Sequence, residues 1–440
     1  MKRITGFFVA SALILTGCGG GSGGGVTGPE VGSDACSIDG QKQFVLDQMR
    51  DVYFWNDLLP TSVNLASYDS PEALLEFLTS FQPLDTFSFI GSAAADAAFF
   101  GEGQFVGFGF SSRFVSDNEV RFTRVFANSP AGLGGLARGQ TLVAVDGRSI
   151  AEIEANEGLS AAFGPSEEGI ERTLTILQNG VERDVTLTKA VVTIDPVPQI
   201  GTFEVSNVTY GYIEFYTFIS TANAELDTVF GQFAANNINS VIIDMRYNGG
   251  GLVSVAERLG DQLGGITNEG DIFSDTRFNA NNAASNSIRR FQRLASSVNL
   301  TELVVLTSGG TASASELVIN GLEPVTSVRL VGANTFGKPV GQVGITFCDK
   351  ILRPTAFETV NGLGEGGFFD GLPVDCEAVD DLDTPTGSRQ DPMVDTALTL
   401  LSTGICPAPA VPVTTKPAVD PRSLPVLKPR NAAEEYAYAY

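Results

Sequence analysis

The 440-residue chain contains no histidine. That absence removes the imidazole that usually takes the proton from a serine or cysteine nucleophile, and the commonest nitrogen ligand of metals. Lysine is scarce too: Lys2, Lys42, Lys189, Lys338, Lys350, Lys416 and Lys428 are all there are. None has serine three positions earlier, which excludes the Ser-x-x-Lys arrangement of penicillin-binding proteins and β-lactamases. The glycine run Gly249-Gly250-Gly251 lacks a following Gly-Lys-Ser/Thr, so a phosphate cradle would lack its cation. No Cys-x-x-Cys pair occurs, and without histidine a metal site has few donors; no cofactor and no metal are expected. Basic patches are missing as well. With 51 acidic against 27 basic residues the formal charge is −24, which repels phosphate backbones, so nucleic acid is not an expected partner.

At 43 % hydrophobic content, the chain is long enough for two or three domains that each bury a core. Residues 1–18 read as an export signal: Lys2-Arg3, an apolar stretch from Ile4 to Leu15, then Leu15-Thr16-Gly17-Cys18. The stretch is too short for a permanent membrane span. Its ending resembles the lipobox of bacterial lipoproteins, which implies lipidation of Cys18 and an envelope location. Gly19 after the cysteine implies the outer membrane, facing the periplasm. An ordinary signal peptide with an incidental cysteine is the alternative. A glycine-rich tether occupies residues 19–35. The remaining cysteines, Cys36, Cys348, Cys376 and Cys406, are even in number and suggest two disulfides in an oxidising compartment. The expected pairs are Cys348 with Cys376, closing a loop, and Cys36 with Cys406, joining the two ends of the folded region.

Residues 36–100 carry apolar side chains at helical spacing, among them Phe44, Val45, Met49, Val52, Leu74, Leu75 and Leu78. Ser70-Pro71-Glu72 is a helix start, with a capping hydroxyl and proline at the first position. The cluster Tyr53-Phe54-Trp55 is expected to be packed core rather than a ligand platform. Residues 101–190 change to short strands and glycine turns. Val106-Gly107-Phe108-Gly109-Phe110, then Ser129-Pro130-Ala131, then Gly139 to Gly147 resemble a PDZ domain of bacterial proteases. That resemblance implies capture of a peptide C-terminus, with Phe108, Gly109 and Phe110 as contacts; a small β-rich domain without ligand is the alternative. Residues 191–405 alternate strands and helices: strands at Tyr210 to Phe215, Ser240 to Met245, Glu302 to Thr307 and Val328 to Val331, with helices at Asn223 to Ala235, Val253 to Leu263 and Ser313 to Leu322. This is an α/β pattern. Residues 406–440, rich in proline and alanine, are expected to bury little and to be disordered.

Three segments of the α/β region bear on chemistry. Asp244 to Gly251 passes from a buried strand through glycines into a helix, exposing backbone N–H groups suited to an oxyanion. Ser313 begins a helix, where the dipole favours an alkoxide; serine is also a helix cap, and Ser315 competes for the nucleophile role. Lys338 follows a glycine turn between apolar stretches, with Gln342 four residues on to hold its amine; in the absence of imidazole, a buried lysine is the base that remains.

In this order the three segments resemble the C-terminal processing proteases, serine peptidases of the tail-specific group, family S41. The family pattern Asp-apolar-Arg-x-Asn-x-Gly-Gly matches Asp244 to Gly251, Ser-Ala-Ser-Glu matches Ser313 to Glu316, and Thr-Phe-Gly-Lys-x-x-x-Gln matches Thr335 to Gln342. The resemblance implies a crotonase-like α/β core with an inserted or preceding PDZ domain and an N-terminal helical cap. It implies Ser313 as nucleophile, Lys338 as general base and Gln342 as its orienting partner, with Gly250 or Gly251 and Ala314 as the oxyanion hole. Protein or peptide substrates follow. Pro339 stands where many members have glycine, and the segment Cys348 to Cys376 departs from the family pattern near the site. A non-catalytic peptide-binding lipoprotein of the same fold is the competing reading.

Overall fold

The computed structural model describes residues 26–27, 35–408 and 431–437. Cys18 and the proposed signal lie outside the described residues. The centre of the fold is a six-stranded sheet in the order Gln199–Val205, Val208–Glu214, Ser240–Asp244, Glu302–Thr307, Val328–Gly332 and Cys376–Glu377. The first pair is antiparallel and the others are parallel. Parallel strands covered on both faces need apolar residues at every position, which is why Ser240–Asp244 reads Ser-Val-Ile-Ile-Asp and Glu302–Thr307 reads Glu-Leu-Val-Val-Leu-Thr. Val241, Ile243, Leu303 and Val305 face the helices Ala222–Ala235, Val253–Gly264 and Ala314–Leu322. Ile242, Val304 and Leu306 alternate to the other face, under the helix Pro392–Thr403.

The N-terminal region forms the helices Ile38–Val52 and Pro71–Thr79. Ser70 Oγ accepts the Ala73 N–H at 3.1 Å, and Pro71 is the first helical residue. Tyr53 is fully buried in the core of this region. The strand Phe89–Ser92 then pairs with Lys350–Arg353, which pairs with Ile345–Phe347, so the N-terminal region is built into a sheet of the α/β part.

A β-rich unit starts and ends on a two-stranded stem, Gln104–Gly107 antiparallel to Ala190–Thr193. Between them lies a sheet in the order Phe110–Ser116, Glu119–Val125, Thr141–Val145, Glu171–Gln178 and Val181–Thr188. The last hairpin turns on Asn179-Gly180, both with positive φ (51° and 76°), the two-residue turn whose twist matches the strands. Phe108 and Phe110 are completely buried and pack on Phe163. Both side chains point into a large apolar cluster of the unit. What this loop can offer a ligand is backbone.

Both disulfides differ from the expected pairing. Cys36 bonds to Cys348 and Cys376 to Cys406, with Cα separations of 5.8 and 5.5 Å. The reason is tertiary docking. The helix Ile38–Val52 packs on the strand Ile345–Phe347, with the Phe44 and Phe347 rings 4.9 Å apart, and this brings Cys36 to the turn at Cys348. The helix Pro392–Thr403 returns along the sheet whose last strand holds Cys376, and delivers Cys406 there. The C-terminal region also departs from expectation. Ala432–Ala437 is a short helix, and Ala432 and Ala433 are buried in one apolar cluster with Phe99 and Phe105.

Candidate active site

Ser313 caps the helix Ala314–Leu322 at φ +56°, ψ −115°. Positive φ is costly for a residue with a Cβ, about 1–3 kcal/mol, and such strain is held only where the surroundings impose it. Here a carboxylate imposes it. Glu316, wholly buried, accepts from the Ser313 N–H (2.9 Å) and the Lys338 N–H (2.8 Å) through Oε2, and from the Gly337 N–H (2.7 Å) and Thr335 hydroxyl (2.5 Å) through Oε1. Burial raises its carboxyl above the ordinary value, and these hydrogen bonds oppose the rise. No role for Glu316 was expected. Its signal was present: serine followed three residues later by glutamate is the spacing of a capping box.

The glycine turn is stitched to the same helix. The Asn248 carbonyl accepts from the Ala312 N–H (3.1 Å) and the Ser315 hydroxyl (2.9 Å), while Asn248 Nδ2 donates to the Phe215 carbonyl (2.9 Å). Ser315 is fully buried and its hydroxyl is engaged, whereas Ser313 is half-buried and faces a cleft. Gly250, at φ +103°, lies so near that a Cβ there would come within 2.8 Å of Ser313 Cβ and Ala314 N. Its own N–H is donated to Asn248 Oδ1 at 2.9 Å. Of the expected glycine donors, Gly251 is the one this hydrogen bond leaves over.

Behind the turn, Arg246 is 1 % exposed and binds three carboxylates. It donates to Asp244 (2.7 Å), Asp391 (2.6 Å) and Asp380 (3.0 Å). Burial alone would raise the Asp380 carboxyl, but the guanidiniums of Arg113, Arg246 and Arg138 outweigh it and hold Asp380 well below the usual carboxylate range. Arg113 and Arg138 come from the β-rich unit, so this buried network also fastens that unit to the core.

Lys338 is 4 % exposed, and its Nζ donates to Gln342 Oε1 at 2.8 Å. The Gln342 amide nitrogen donates to the Phe87 carbonyl (2.7 Å) and the Arg353 carbonyl (3.1 Å). With the amide hydrogens committed, the oxygen of Gln342 is left facing the lysine. Ser313, Ala314, Lys338, Val340, Phe357 and Phe368 line one cleft of about 20 Å³, room for roughly one water. Phe368 comes from the segment between Cys348 and Cys376, which thus reaches the site. Among the described residues, no group of three or more Cys, Asp and Glu side chains is arranged to hold a metal, and no helix is long and apolar enough to cross a membrane.

Residues 209–375 match peptidase family S41, and residues 40–89 match the peptidase S41 N-terminal domain. These matches place the similarity to peptidase family S41 in residues 40–89 and 209–375. The chain is similar to the carboxy-terminal-processing protease of Bartonella bacilliformis, 25 % identical over 276 residues that span 60 % of each chain. It is also similar to the chloroplast C-terminal processing peptidase of Tetradesmus obliquus, 31 % identical over 181 residues, 37 % of this chain and 35 % of that one. The chain spans 60 % of the first of these relatives and 35 % of the second. In fold it resembles an S41-family structure from Bacteroides fragilis, with a TM-score of 0.67 and 22 % identity, covering 82 % of this chain and 97 % of that one. A photosystem II D1 C-terminal processing protease superposes with a TM-score of 0.52 at 20 % identity, covering 77 % and 92 %.

Proposed function

We propose that the chain is a serine endopeptidase of the bacterial envelope, lipid-anchored through Cys18, with a crotonase-like catalytic core. The observation that carries the reading is the Lys338–Gln342 pair: a buried amine, held by an amide whose own hydrogens are committed, opens on the same cleft as Ser313. Ser313 Oγ attacks a peptide carbonyl while its proton passes to the amine of Lys338. The carbon–nitrogen bond breaks, the proton goes to the leaving amine, and an acyl-enzyme remains on Ser313. Water then attacks, Lys338 takes its proton, and Ser313 regains a proton as the acid leaves. The N–H groups of Gly251 and Ala314 receive the oxyanion. The β-rich unit acts as a PDZ domain that presents substrate C-termini through the backbone of residues 108–110.

The test is to incubate the full chain with a rhodamine-tagged fluorophosphonate and with fluorescein-labelled casein, and to locate the adduct by mass spectrometry. The reading expects the adduct on Ser313 and casein cleavage that the adduct blocks. A folded chain that takes no label and cleaves nothing would favour a non-catalytic peptide-binding scaffold.

A further inference from the structure

We infer that Phe87, outside the α/β core, is a positioning residue for the amine of Lys338; the inference rests on the Ser313–Lys338 reading above. Phe87 meets that amine by two routes. Its backbone carbonyl accepts from Gln342 Nε2 at 2.7 Å, which helps fix the side of Gln342 that Lys338 sees. Its ring centroid lies 5.0 Å from Lys338 Nζ. Both become more favourable as the amine takes a proton, because a carbonyl-type oxygen and the negative face of a ring each attract an ammonium. An interaction that strengthens as charge develops lowers the barrier rather than improving binding.

The loop that carries Phe87 is built to hold it there. Asp85, 6 % exposed, accepts through Oδ1 from the N–H groups of Phe87 (3.1 Å) and Ser88 (3.0 Å) and from the Thr355 hydroxyl (3.1 Å). Its Oδ2 accepts from the Ser88 hydroxyl at 2.6 Å, and Ser88 Oγ in turn accepts the Thr355 N–H at 2.9 Å. Thr355 begins the strand Thr355–Val360, whose Phe357 and Thr359 line the cleft. The Phe87 ring also packs on Phe336, two residues before Lys338, at 6.2 Å. A carboxylate in the N-terminal region thus locks the loop onto the wall of the site, and the loop delivers one carbonyl and one ring to the lysine.

The experiment uses the full chain, the tagged fluorophosphonate as a probe of Ser313 acylation, and labelled casein for kcat and KM. Phe87→Leu keeps the carbonyl and removes the ring. It is expected to lower acylation and kcat by about tenfold or more, with KM within about twofold of wild type. Phe87→Tyr, which restores a ring, is expected to recover most of the rate. In a Gln342→Ala background Phe87→Leu is expected to cost markedly less than in wild type, because both act on the same amine. If Phe87→Leu does not fold, Asp85→Asn, which leaves the ring and loosens its loop, carries the same expectations. Wild-type acylation by Phe87→Leu, or equal losses in the Leu and Tyr variants that simply add to Gln342→Ala, overturns the inference. Undiminished labelling and cleavage in Ser313→Ala would instead overturn the reading beneath it.

Discussion

Ser313 and Lys338 are joined through their backbones by a single atom: Glu316 Oε2 accepts the N–H of the first at 2.9 Å and of the second at 2.8 Å. The strained serine turn and the lysine loop therefore cannot shift independently. Glu316→Gln would turn an amide hydrogen toward backbone donors in a buried position, leaving groups unpaired at a cost of about 1–3 kcal/mol. The expected outcome is a lower melting temperature together with Ser313 acylation slowed by more than the loss of folded protein explains. Thermal denaturation and labelling on the same samples check it.

Gly250 tests the fit between the glycine turn and the serine. Gly250→Ala puts a methyl 2.8 Å from Ser313 Cβ and Ala314 N at a φ of +103°, so either the turn or the serine must move. The strain is expected to cost about 1–3 kcal/mol, with activity lost by a larger factor than stability. Urea unfolding and casein cleavage separate the two effects.

Glu214 gives a pH signature. Burial first, then the charge of Asp244, push its carboxyl from 4.5 up to about 7, against the pull of Arg124 and the Thr386 hydroxyl. The folded chain then holds this proton more tightly than the unfolded chain does. For this group stability is greatest below about pH 4.5 and falls as pH rises to about 7. Glu214→Gln removes that slope: urea midpoints of variant and wild type should lie close together at the acid end, with the variant ahead above neutrality.

Unbroken apolar runs made the central parallel strands Ser240–Asp244 and Glu302–Thr307 legible, because each is buried on two faces. Glu302–Thr307 was anticipated to the residue, and the helix from Ala222 to Ala235 within one. Ser70-Pro71 marked its helix for local reasons. The strands Phe89–Ser92 and Lys350–Arg353 gave no such signal: each is four residues long, and they form by pairing with each other across more than half the chain. The cysteine pairing failed for the same cause, since helix docking decides which sulfurs meet. Phe87 meets Lys338 and Gln342 only where its loop docks on the strand Thr355–Val360, far away in sequence, so no local motif could have singled it out.

The disulfides themselves are open to a direct check. Non-reducing proteolytic mapping is expected to yield a Cys36–Cys348 fragment and a Cys376–Cys406 fragment. Replacing both Cys36 and Cys348 by serine removes a cross-link spanning 312 positions and is expected to cost about 2–5 kcal/mol of stability.

The central claim is that the amine of Lys338 activates the hydroxyl of Ser313. The rate of Ser313 acylation by the fluorophosphonate, compared between wild type and Lys338→Met at matched folded fraction, addresses it most directly. The account predicts a fall of about a hundredfold or more in the variant. Acylation of Lys338→Met at the wild-type rate would contradict it.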